Sequence, residues 1–295
     1  MGRAGAFAEA FRVTNGGKFR LKDIDPANVG GLKSKAQAEE WLQKGIALLS
    51  ELQEKLYADD HRALLLIFQG MDGAGKDGAI KHVMSGVNPQ GVEVYSFKAP
   101  SAEELDHDFL WRTMRCFPER GRIGIFNRSY YEETLVVRVH PELLAKQRIP
   151  PALVTKSIWK ERFEDINAVE RYLARNGVTV LKFFLHISKE EQRKRFLKRL
   201  EDRQRNWKFS ANDMPERQYW NAYMDAYEDM VRHTATPHAP WYVVPSDNKW
   251  FARMTVAAAI VDTLEEFKLS FPKVTAAQRK ALAAQRALLE GKSKK

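Results

Sequence analysis

The chain is poor in cysteine and has no long apolar run. Cys116 is the one cysteine among 295 residues, so no disulfide can form within the chain, and we expect a reducing, cytoplasmic location. The start, MGRAGAFAEAFRV, lacks the apolar centre of a secretory signal. No stretch approaches the roughly 20 apolar residues of a bilayer-spanning helix. These features favour a protein without a membrane partner.

Patterns typical of several catalytic classes are also missing. The seven histidines show no metal-ligand spacing, and no Ser-His-Asp or Cys-His arrangement is evident. The guanine signature N-K-x-D of regulatory GTPases does not occur. The chain does have excess positive charge, +10 in total, which favours a polyanionic ligand such as nucleic acid, acidic lipid or a phosphate chain.

A glycine-rich turn stands at the centre of the sequence. Residues 62–81 read RALLLIFQGMDGAGKDGAIK, an apolar run followed by a turn and a helix-compatible stretch. The run is typical of a strand buried on both faces. Residues 70–76, GMDGAGK, fit the G-x-x-x-x-G-K pattern, in which backbone N–H groups and a lysine surround phosphate. We name residues 70–76 the phosphate loop.

The phosphate loop departs from the usual pattern at the position after Lys76. A serine or threonine normally offers a hydroxyl to Mg²⁺ there, whereas this chain has Asp77, and Asp72 adds a second carboxylate inside the loop. Two carboxylates beside a phosphate repel it unless cations intervene. The pair therefore predicts Mg²⁺ held by carboxylate oxygens, phosphates and water.

Strand and helix patterns alternate along the rest of the chain. After an extended arm over 1–34 and a helix over 35–57, strands are predicted at 63–68, 92–97, 121–126, 178–187 and 241–244. Helices are predicted at 75–87, 101–117, 153–176, after Ser188, and at 214–233 and 249–271. Five strands separated by helices indicate a doubly wound α/β sheet. We expect an N-terminal arm and helix over 1–60, a main domain over 61–271 and a basic tail over 272–295.

Two further segments carry phosphate-binding residue types. Residues 127–133, NRSYYEE, follow the third predicted strand and are named the site turn; Arg128 there is a phosphate-clamp type. Arg195 and Arg199 have i,i+4 spacing on one helix, Arg203 continues it, and Lys208 follows in the loop. A cation-rich helix pair over a phosphate loop predicts a lid, about 193–215.

These motifs together resemble the polyphosphate kinase 2 family. The resemblance runs from about His61 to Phe267 through GMDGAGKDGAIK, YSFKAPS, GRIGIFNRSYYEE, KFFLHIS, RFLKRLEDRQRNWKFS, APWYVV and DNKWFAR. It implies a P-loop kinase fold, a three-layer α/β/α sandwich with a five-stranded parallel sheet and a helical lid. It also implies a homo-oligomeric phosphotransferase that moves phosphate between inorganic polyphosphate and nucleotides with Mg²⁺, or Mn²⁺ in its place, and has no nucleic-acid partner.

The resemblance assigns roles by position. Asp72, Lys76 and Arg128 are expected to be catalytic, and Asp72, Asn127 and Glu132 are the expected metal ligands. The expected substrate-binding residues are Gly73, Ala74, Gly75, Asp77, Gly78, Lys81, Lys98, Asn127, Ser129, Tyr130, Glu132, Glu133, Arg195, Arg199, Arg203 and Lys208.

Asn127 bears on the choice of acceptor. Many relatives have Asp there, and Asn followed by RSYYEE resembles class III of the family, whose members accept AMP and ADP. Either Asn127 or one of the following glutamates, Glu132 or Glu133, would then be the second metal ligand. We expect phosphorylation of AMP and ADP, with guanine nucleotides as further acceptors. An ATP-dependent nucleoside-monophosphate kinase and a nucleic-acid-binding protein with a vestigial loop remain alternatives.

Overall fold

The computed structural model describes residues 7–32, 34–204, 206–208 and 213–291. The predicted lid is therefore described in part. The side chain of Lys208, an expected polyphosphate ligand, lies outside the described residues.

Six strands form one sheet in the order β1-β6-β5-β2-β4-β3. They are β1 Arg12–Val13, β2 Ala63–Gln69, β3 Val92–Ser96, β4 Ile123–Asn127, β5 Val178–His186 and β6 Trp241–Pro245. Strands β2 to β6 pair in parallel, and β1 is antiparallel to β6. Every residue of β2 is buried, which explains its continuous apolar run.

The sixth strand comes from the predicted N-terminal arm. Arg12 is paired with Tyr242 and Val13 with Trp241, and the amide of Val243 donates to the carbonyl of Phe11 at 2.9 Å. The sequence predicts five strands because a strand of two residues is too short to show an alternating pattern.

Seven helices of at least two turns lie in the described chain. They are α1 Lys35–Asp59, α2 Lys76–Val83, α3 Ile158–Arg175, α4 Lys189–Glu201, α5 Trp220–Thr234, α6 Lys249–Glu266 and α7 Ala276–Leu289. Shorter α-helical segments are Ala102–Leu105, Trp111–Met114, Val136–Val139 and Asp213–Glu216. The 3₁₀ segments are Leu21–Asp23, Pro89–Gly91, Tyr130–Glu133, Pro141–Gln147, Pro151–Leu153, Asn206–Lys208 and Arg217–Tyr219.

The helix predicted over 101–117 is interrupted. Its start is as expected, with Ser101 and Glu104 forming a capping box. The chain then leaves the helix after Leu105, and the Asp108 carboxylate accepts a hydrogen bond from the amide of Leu110 at 2.9 Å. A side-chain acceptor of this kind competes with the helical backbone bonds, so two short segments replace one helix.

The helices pack in two groups. Helix α6 packs on α1 and α2, and α3 packs on β5 and α5. No residue of α7 is buried. Among the described residues, no helix is both long enough and apolar enough to cross a membrane.

The strand order brings the two phosphate-binding segments together. Phe68 near the end of β2 is in register with Asn127 at the end of β4, so the phosphate loop and the site turn leave the sheet side by side. Strands β4 and β3 lie on one side of β2, and β5 and β6 lie on the other. In parallel α/β sheets, ligands bind at carboxyl ends where the order reverses in this way.

Candidate active site at the phosphate loop

The phosphate loop closes tightly between β2 and α2. Gly70, with φ of +150°, lies so close to β5 that an added Cβ would be 2.8 Å from the carbonyl oxygen of Leu185. Gly73 has φ of +84°, and an added Cβ would be 3.1 Å from the ring of Phe196. Glycine is therefore favoured at both positions by backbone conformation, and at Gly70 the close backbone carbonyl also excludes a side chain.

Lys76 is folded back over the loop. Its side chain is buried, and Nζ donates to the carbonyl of Gly70 at 2.5 Å and of Met71 at 3.4 Å. Burial lowers the pKa of Lys76, although the nearby Asp72 carboxylate acts to raise it. The buried Lys76 ammonium is held by neutral carbonyls, so a phosphate anion at the loop would stabilise its positive charge.

Asp72 and Arg128 join the loop to the site turn. Arg128 Nη2 donates to Asp72 Oδ1 at 2.7 Å, and both side chains stay partly exposed, 37% for Arg128 and 43% for Asp72. Burial acts to raise the pKa of Asp72, but Lys76 and Arg128 together outweigh it, so this pKa lies below its ordinary value. The Glu132 carboxylate is the main cause that raises the pKa of Arg128. Both groups of the pair are thus charged at neutral pH.

The backbone at Arg128 is unusual. Its φ is +63°, in the left-handed region that non-glycine residues rarely adopt. The amide of Arg128 donates to the carbonyl of Phe68 at 3.0 Å, so the strand pairing continues through this residue. Such a conformation costs on the order of 1–3 kcal/mol and persists only where its surroundings impose it.

Asn127 and Glu132 lie at the same edge. Asn127 Nδ2 donates to Asp77 Oδ1 at 2.8 Å, which connects the site turn to the first turn of α2. Glu132 Oε1 accepts from Gln69 Nε2 at 2.8 Å, and its other oxygen is 3.9 Å from Arg128 Nη1. The expected catalytic and metal-binding residues are therefore neighbours in space.

Arg195 lies beneath the loop. Nη1 donates to the carbonyls of Gly73 and Ala74, both at 2.9 Å, and Nη2 donates to those of Ser246 and Asp247. Its buried guanidinium therefore supports the loop from inside, and polyphosphate could not meet it without breaking these bonds. The i,i+4 spacing with Arg199 could not distinguish an inward face from an outward one.

Some residues of the site turn face the phosphate loop, and others point into the protein interior. Glu133 is buried against Arg162, with 2.9 Å between Oε2 and Nη1, so of the two glutamates only Glu132 faces the loop. Ser129 is buried and caps the 3₁₀ turn by accepting from the amide of Tyr131. The Tyr130 hydroxyl donates to the buried Glu170 at 3.0 Å. These positions shape the site turn from below.

The remaining expected ligands are more exposed. Lys81 and Lys98 are exposed, as is Arg203 beyond the end of α4. Arg199 lies over the ring of Phe196, at 5.5 Å, and is near enough to act to lower the pKa of Asp72. Lys81, Lys98, Arg199 and Arg203 stay expected ligands of the phosphate chain, to be tested by substitution.

Sequence reasoning missed several supporting residues. Gln192 Nε2 donates to the carbonyl of Asp72 at 2.8 Å, and Arg217 Nη1 donates to Gln192 Oε1 at 2.6 Å. Lys182 is fully buried in β5 and paired with Glu170. A lysine inside the apolar run VTVLKFFLH was a usable signal, whereas nothing in the sequence marks Gln192.

Comparisons with known proteins agree on one family. A sequence profile described as Polyphosphate kinase 2 (PPK2) matches residues 32–272. An "ADP-polyphosphate phosphotransferase" of Rhodopseudomonas palustris is 52% identical over 94% of this chain and 96% of the relative. An "AMP/ADP-polyphosphate phosphotransferase" of Meiothermus ruber is 42% identical over 92% of this chain and 97% of the relative.

A solved structure agrees as well. The crystal structure of Polyphosphate Kinase 2 from Arthrobacter aurescens has a TM-score of 0.86 with this chain at 40% identity, and the alignment covers 95% of this chain and 96% of that one. The profile covers most of the chain, and the relatives and the solved structure cover more than nine-tenths of it, so the chain belongs to the polyphosphate kinase 2 family.

Proposed function

We propose that this protein transfers the terminal phosphoryl group of inorganic polyphosphate to AMP, giving ADP, and to ADP, giving ATP. The two relatives are named for these acceptors, one for ADP and one for both. The phosphate loop and the site turn supply the groups that phosphoryl transfer requires.

The observation that carries the proposal is a set of cations beside the phosphate loop, Lys198, Lys249 and Arg253, which we name the donor track. Arg253 Nη2 is 3.7 Å from where a Cβ on Gly78 would lie. Burial lowers the pKa of Lys249, and Arg195, Arg253 and Lys198 lower it further. Neither Lys249 nor Arg253 forms an ion pair with a carboxylate in the described chain.

Cations clustered at this place favour one kind of donor. They repel one another and are relieved by a polyanion that runs past the loop. The base of ATP, by contrast, is bound by apolar and aromatic surface. The donor track therefore supports a phosphate chain as the donor.

The chemistry follows from the neighbouring groups. A phosphate oxygen of the nucleotide attacks the terminal phosphorus of polyphosphate, and the bond from that phosphorus to the rest of the chain breaks. Lys76 and Arg128 stabilise the charge that builds up on the transferred group. Asp72 orients Arg128 through their 2.7 Å hydrogen bond. The acceptor oxygen is already ionised, so neither a general base nor a covalent protein intermediate is needed.

The residues present fit a Mg²⁺ ion, with Mn²⁺ as a substitute. Asp72 and Asp77 offer carboxylates at the loop, and the hydrogen bond from Asn127 Nδ2 to Asp77 leaves the amide oxygen of Asn127 for a cation. No group of three His, Cys, Asp or Glu side chains converges in the described part of the chain. This donor set suits Mg²⁺, which binds through one or two carboxylates and otherwise through phosphate and water. The ion would neutralise charge on the phosphates.

The remaining features of the family are part of the same proposal. Residues 61–271 would form a P-loop kinase unit of α/β/α type with a lid over 193–215, flanked by the arm and the basic tail. Arg199 and Arg203 would hold the phosphate chain when the lid closes. The single cysteine supports a cytoplasmic enzyme, and the family supports a homo-oligomer that also accepts guanine nucleotides.

A donor comparison tests the proposal. The purified protein is incubated with Mg²⁺ and AMP, and with either polyphosphate or ATP as the only donor, and the nucleotides are separated. We expect ADP and then ATP from polyphosphate. Transfer from ATP to AMP without transfer from polyphosphate would instead establish the alternative, an ATP-dependent nucleoside-monophosphate kinase.

A further inference from the structure

A closed polar cluster lies beneath the site turn. It consists of Tyr130, Tyr131, Glu170 and Lys182, and we name it the tyrosine anchor. Lys182 on β5 and Glu170 on α3 are fully buried, with 2.6 Å between Nζ and Oε2. The two tyrosines are also buried and belong to the site turn itself.

The tyrosine anchor is saturated with hydrogen bonds. Glu170 Oε1 accepts from the hydroxyls of Tyr130 and Tyr131, at 3.0 and 2.7 Å. Lys182 Nζ uses its three hydrogens on Glu170 at 2.6 Å, the carbonyl of Thr234 at 2.7 Å and the Tyr131 hydroxyl at 3.0 Å. The cluster thus fixes the site turn to β5, to α3 and to the end of α5.

Stability alone explains such a cluster poorly. Removing two charges from water is costly, and a protein in which well-packed apolar residues replace a buried ion pair is often as stable as the original or more stable. A satisfied buried network does, however, specify a single arrangement of the segments it joins. The segment joined here is the one that carries Arg128.

The backbone of Arg128 needs such an attachment. Its φ of +63° is unfavourable for arginine, and only Ser129 separates it from the two anchored tyrosines. A chain free to relax would leave this conformation and turn the guanidinium away from Asp72. The amide of Arg128 bonds the carbonyl of Phe68, and the two tyrosine hydroxyls that follow in the chain bond Glu170, so the backbone is held both at Arg128 and just after it.

We propose that the tyrosine anchor positions Arg128 for phosphoryl transfer, and that Tyr131, Glu170 and Lys182 are positioning residues of this enzyme. The inference rests on the proposed function, in which Arg128 stabilises the transferred phosphoryl group. None of the three touches the phosphate loop through a hydrogen bond in the described structure; each acts through the site turn.

The first test is Tyr131→Phe, which removes one hydroxyl and keeps the ring. We expect kcat to fall about 10-fold to 100-fold, as for a displacement of about 1 Å at a reacting group, with KM for polyphosphate within about twofold of wild type. Tyr242→Phe is the control on a buried ring outside the cluster, and Tyr172→Phe is the control on an exposed hydroxyl of α3. Both controls should keep wild-type kcat. A correctly folded Tyr131→Phe with wild-type kcat would overturn the proposal.

The second test asks whether the effect passes through Arg128. Arg128→Lys keeps the charge but loses the planar fork, so it should retain measurable activity. If the tyrosine acts by orienting the guanidinium, Tyr131→Phe should lower kcat by less than about twofold in the Arg128→Lys background. Equal losses in both backgrounds would show that the hydroxyl acts independently of Arg128 and would overturn the proposal.

The third test separates activity from stability. The double variant Glu170→Gln/Lys182→Met removes both charges together, and we expect an unchanged or higher Tm with a kcat lowered about 10-fold or more. Wild-type kcat in this folded variant would count against a positioning role. If the double variant does not fold, the kcat of Tyr131→Phe is the result that tests the proposal. Absence of transfer from polyphosphate in the wild type would be a failure of the proposed function instead.

Discussion

At the residue scale, one hydrogen bond explains why an amide stands at position 127. Asn127 Nδ2 donates to Asp77 Oδ1 at 2.8 Å, and a carboxylate at 127 would have no hydrogen to donate. Two carboxylates about 4 Å apart repel by roughly 4 kcal/mol at an effective dielectric near 20. The amide therefore avoids this repulsion, and we propose that it also keeps negative charge away from the incoming acceptor phosphate.

The Asn127→Asp variant should consequently change acceptor choice. We expect kcat/KM to fall more for AMP than for ADP, because an acceptor phosphate on the ribose must bring the nucleoside deeper and leaves it less freedom to move. Steady-state kinetics with both acceptors at saturating Mg²⁺ measure the ratio. The swap Asn127→Asp/Asp77→Asn restores a donor and an acceptor and should recover part of the loss. An unchanged AMP-to-ADP ratio in Asn127→Asp would show that this residue does not set acceptor choice.

His186 at the end of β5 should make stability sensitive to acid. Burial lowers the pKa of His186 to about 4, although Asp247 acts to raise it, and Nδ1 has no partner in the described structure. The unfolded chain takes up the proton near pH 6.5, so stability is lost as pH falls from about 6.5 toward 4. The loss is about 2 kcal/mol between pH 6.5 and 5, from a slope of about 1.4 kcal/mol per pH unit. Urea unfolding of wild type and His186→Gln at both pH values should show a smaller loss in the variant; equal losses would contradict this role.

Which residues could be assigned from sequence depended on their distance from a motif. Lys76, Asp72 and Arg128 follow from the loop pattern and from a turn at a neighbouring strand end, and the structure brings them together. Glu132 and Glu133 are adjacent, and only the 3₁₀ turn sends one toward the loop and the other toward Arg162. Sequence spacing carries no information on that choice.

At the scale of elements, helix α4 and the segment that follows it carry two different kinds of arginine. Arg195 is buried and bonds carbonyls of the phosphate loop and of the segment after β6, whereas Arg203 lies exposed beyond the helix. The middle of α4, at Arg195, thus supports the phosphate loop, and we propose that lid motion is confined to the segment from the end of α4 onward. The strand pattern predicted the parallel strands, most clearly β2, which is apolar from Ala63 to Phe68 because it is buried on both faces, and it missed the two-residue β1.

The two arginines should respond differently to removal. Arg195→Ala leaves several buried carbonyls without a donor, at about 1–3 kcal/mol each, and should lower Tm and kcat together. Arg203→Ala should leave Tm unchanged and raise KM for polyphosphate. Thermal unfolding and steady-state kinetics on both variants test this split. A destabilised Arg203→Ala, or an Arg195→Ala with wild-type Tm, would reverse the two roles.

At the scale of the whole molecule, a net charge of +10 fits a polyanionic donor, and the donor track places part of it beside the loop. Counterions released from a phosphate chain make binding weaken steeply with salt. The same argument explains why no large apolar pocket is needed for the donor.

Salt dependence should therefore distinguish the two substrates. KM for polyphosphate should rise much more steeply with NaCl concentration than KM for AMP. In the Lys249→Ala/Arg253→Ala variant, the slope of log KM for polyphosphate against log NaCl concentration should fall by the amount expected for about two lost phosphate contacts. Lys44→Ala/Lys55→Ala is the matched control and should keep the wild-type slope, since both cations lie on α1 and are paired with Glu40 and Glu51; Lys44 is exposed and Lys55 partly buried. Equal slopes for both substrates would contradict an extended cationic track.

ATP formation from ADP with polyphosphate as the only donor tests the central claim most directly. The wild-type protein should produce ATP in proportion to enzyme concentration. The Lys76→Ala variant should be slower by on the order of 10²–10³, because one preorganised positive group at the transferred phosphoryl is worth that much, and the control Lys44→Ala should match wild type. No ATP from the wild type, or Lys76→Ala within a few-fold of it, would contradict the assignment of the phosphate loop as the site of transfer.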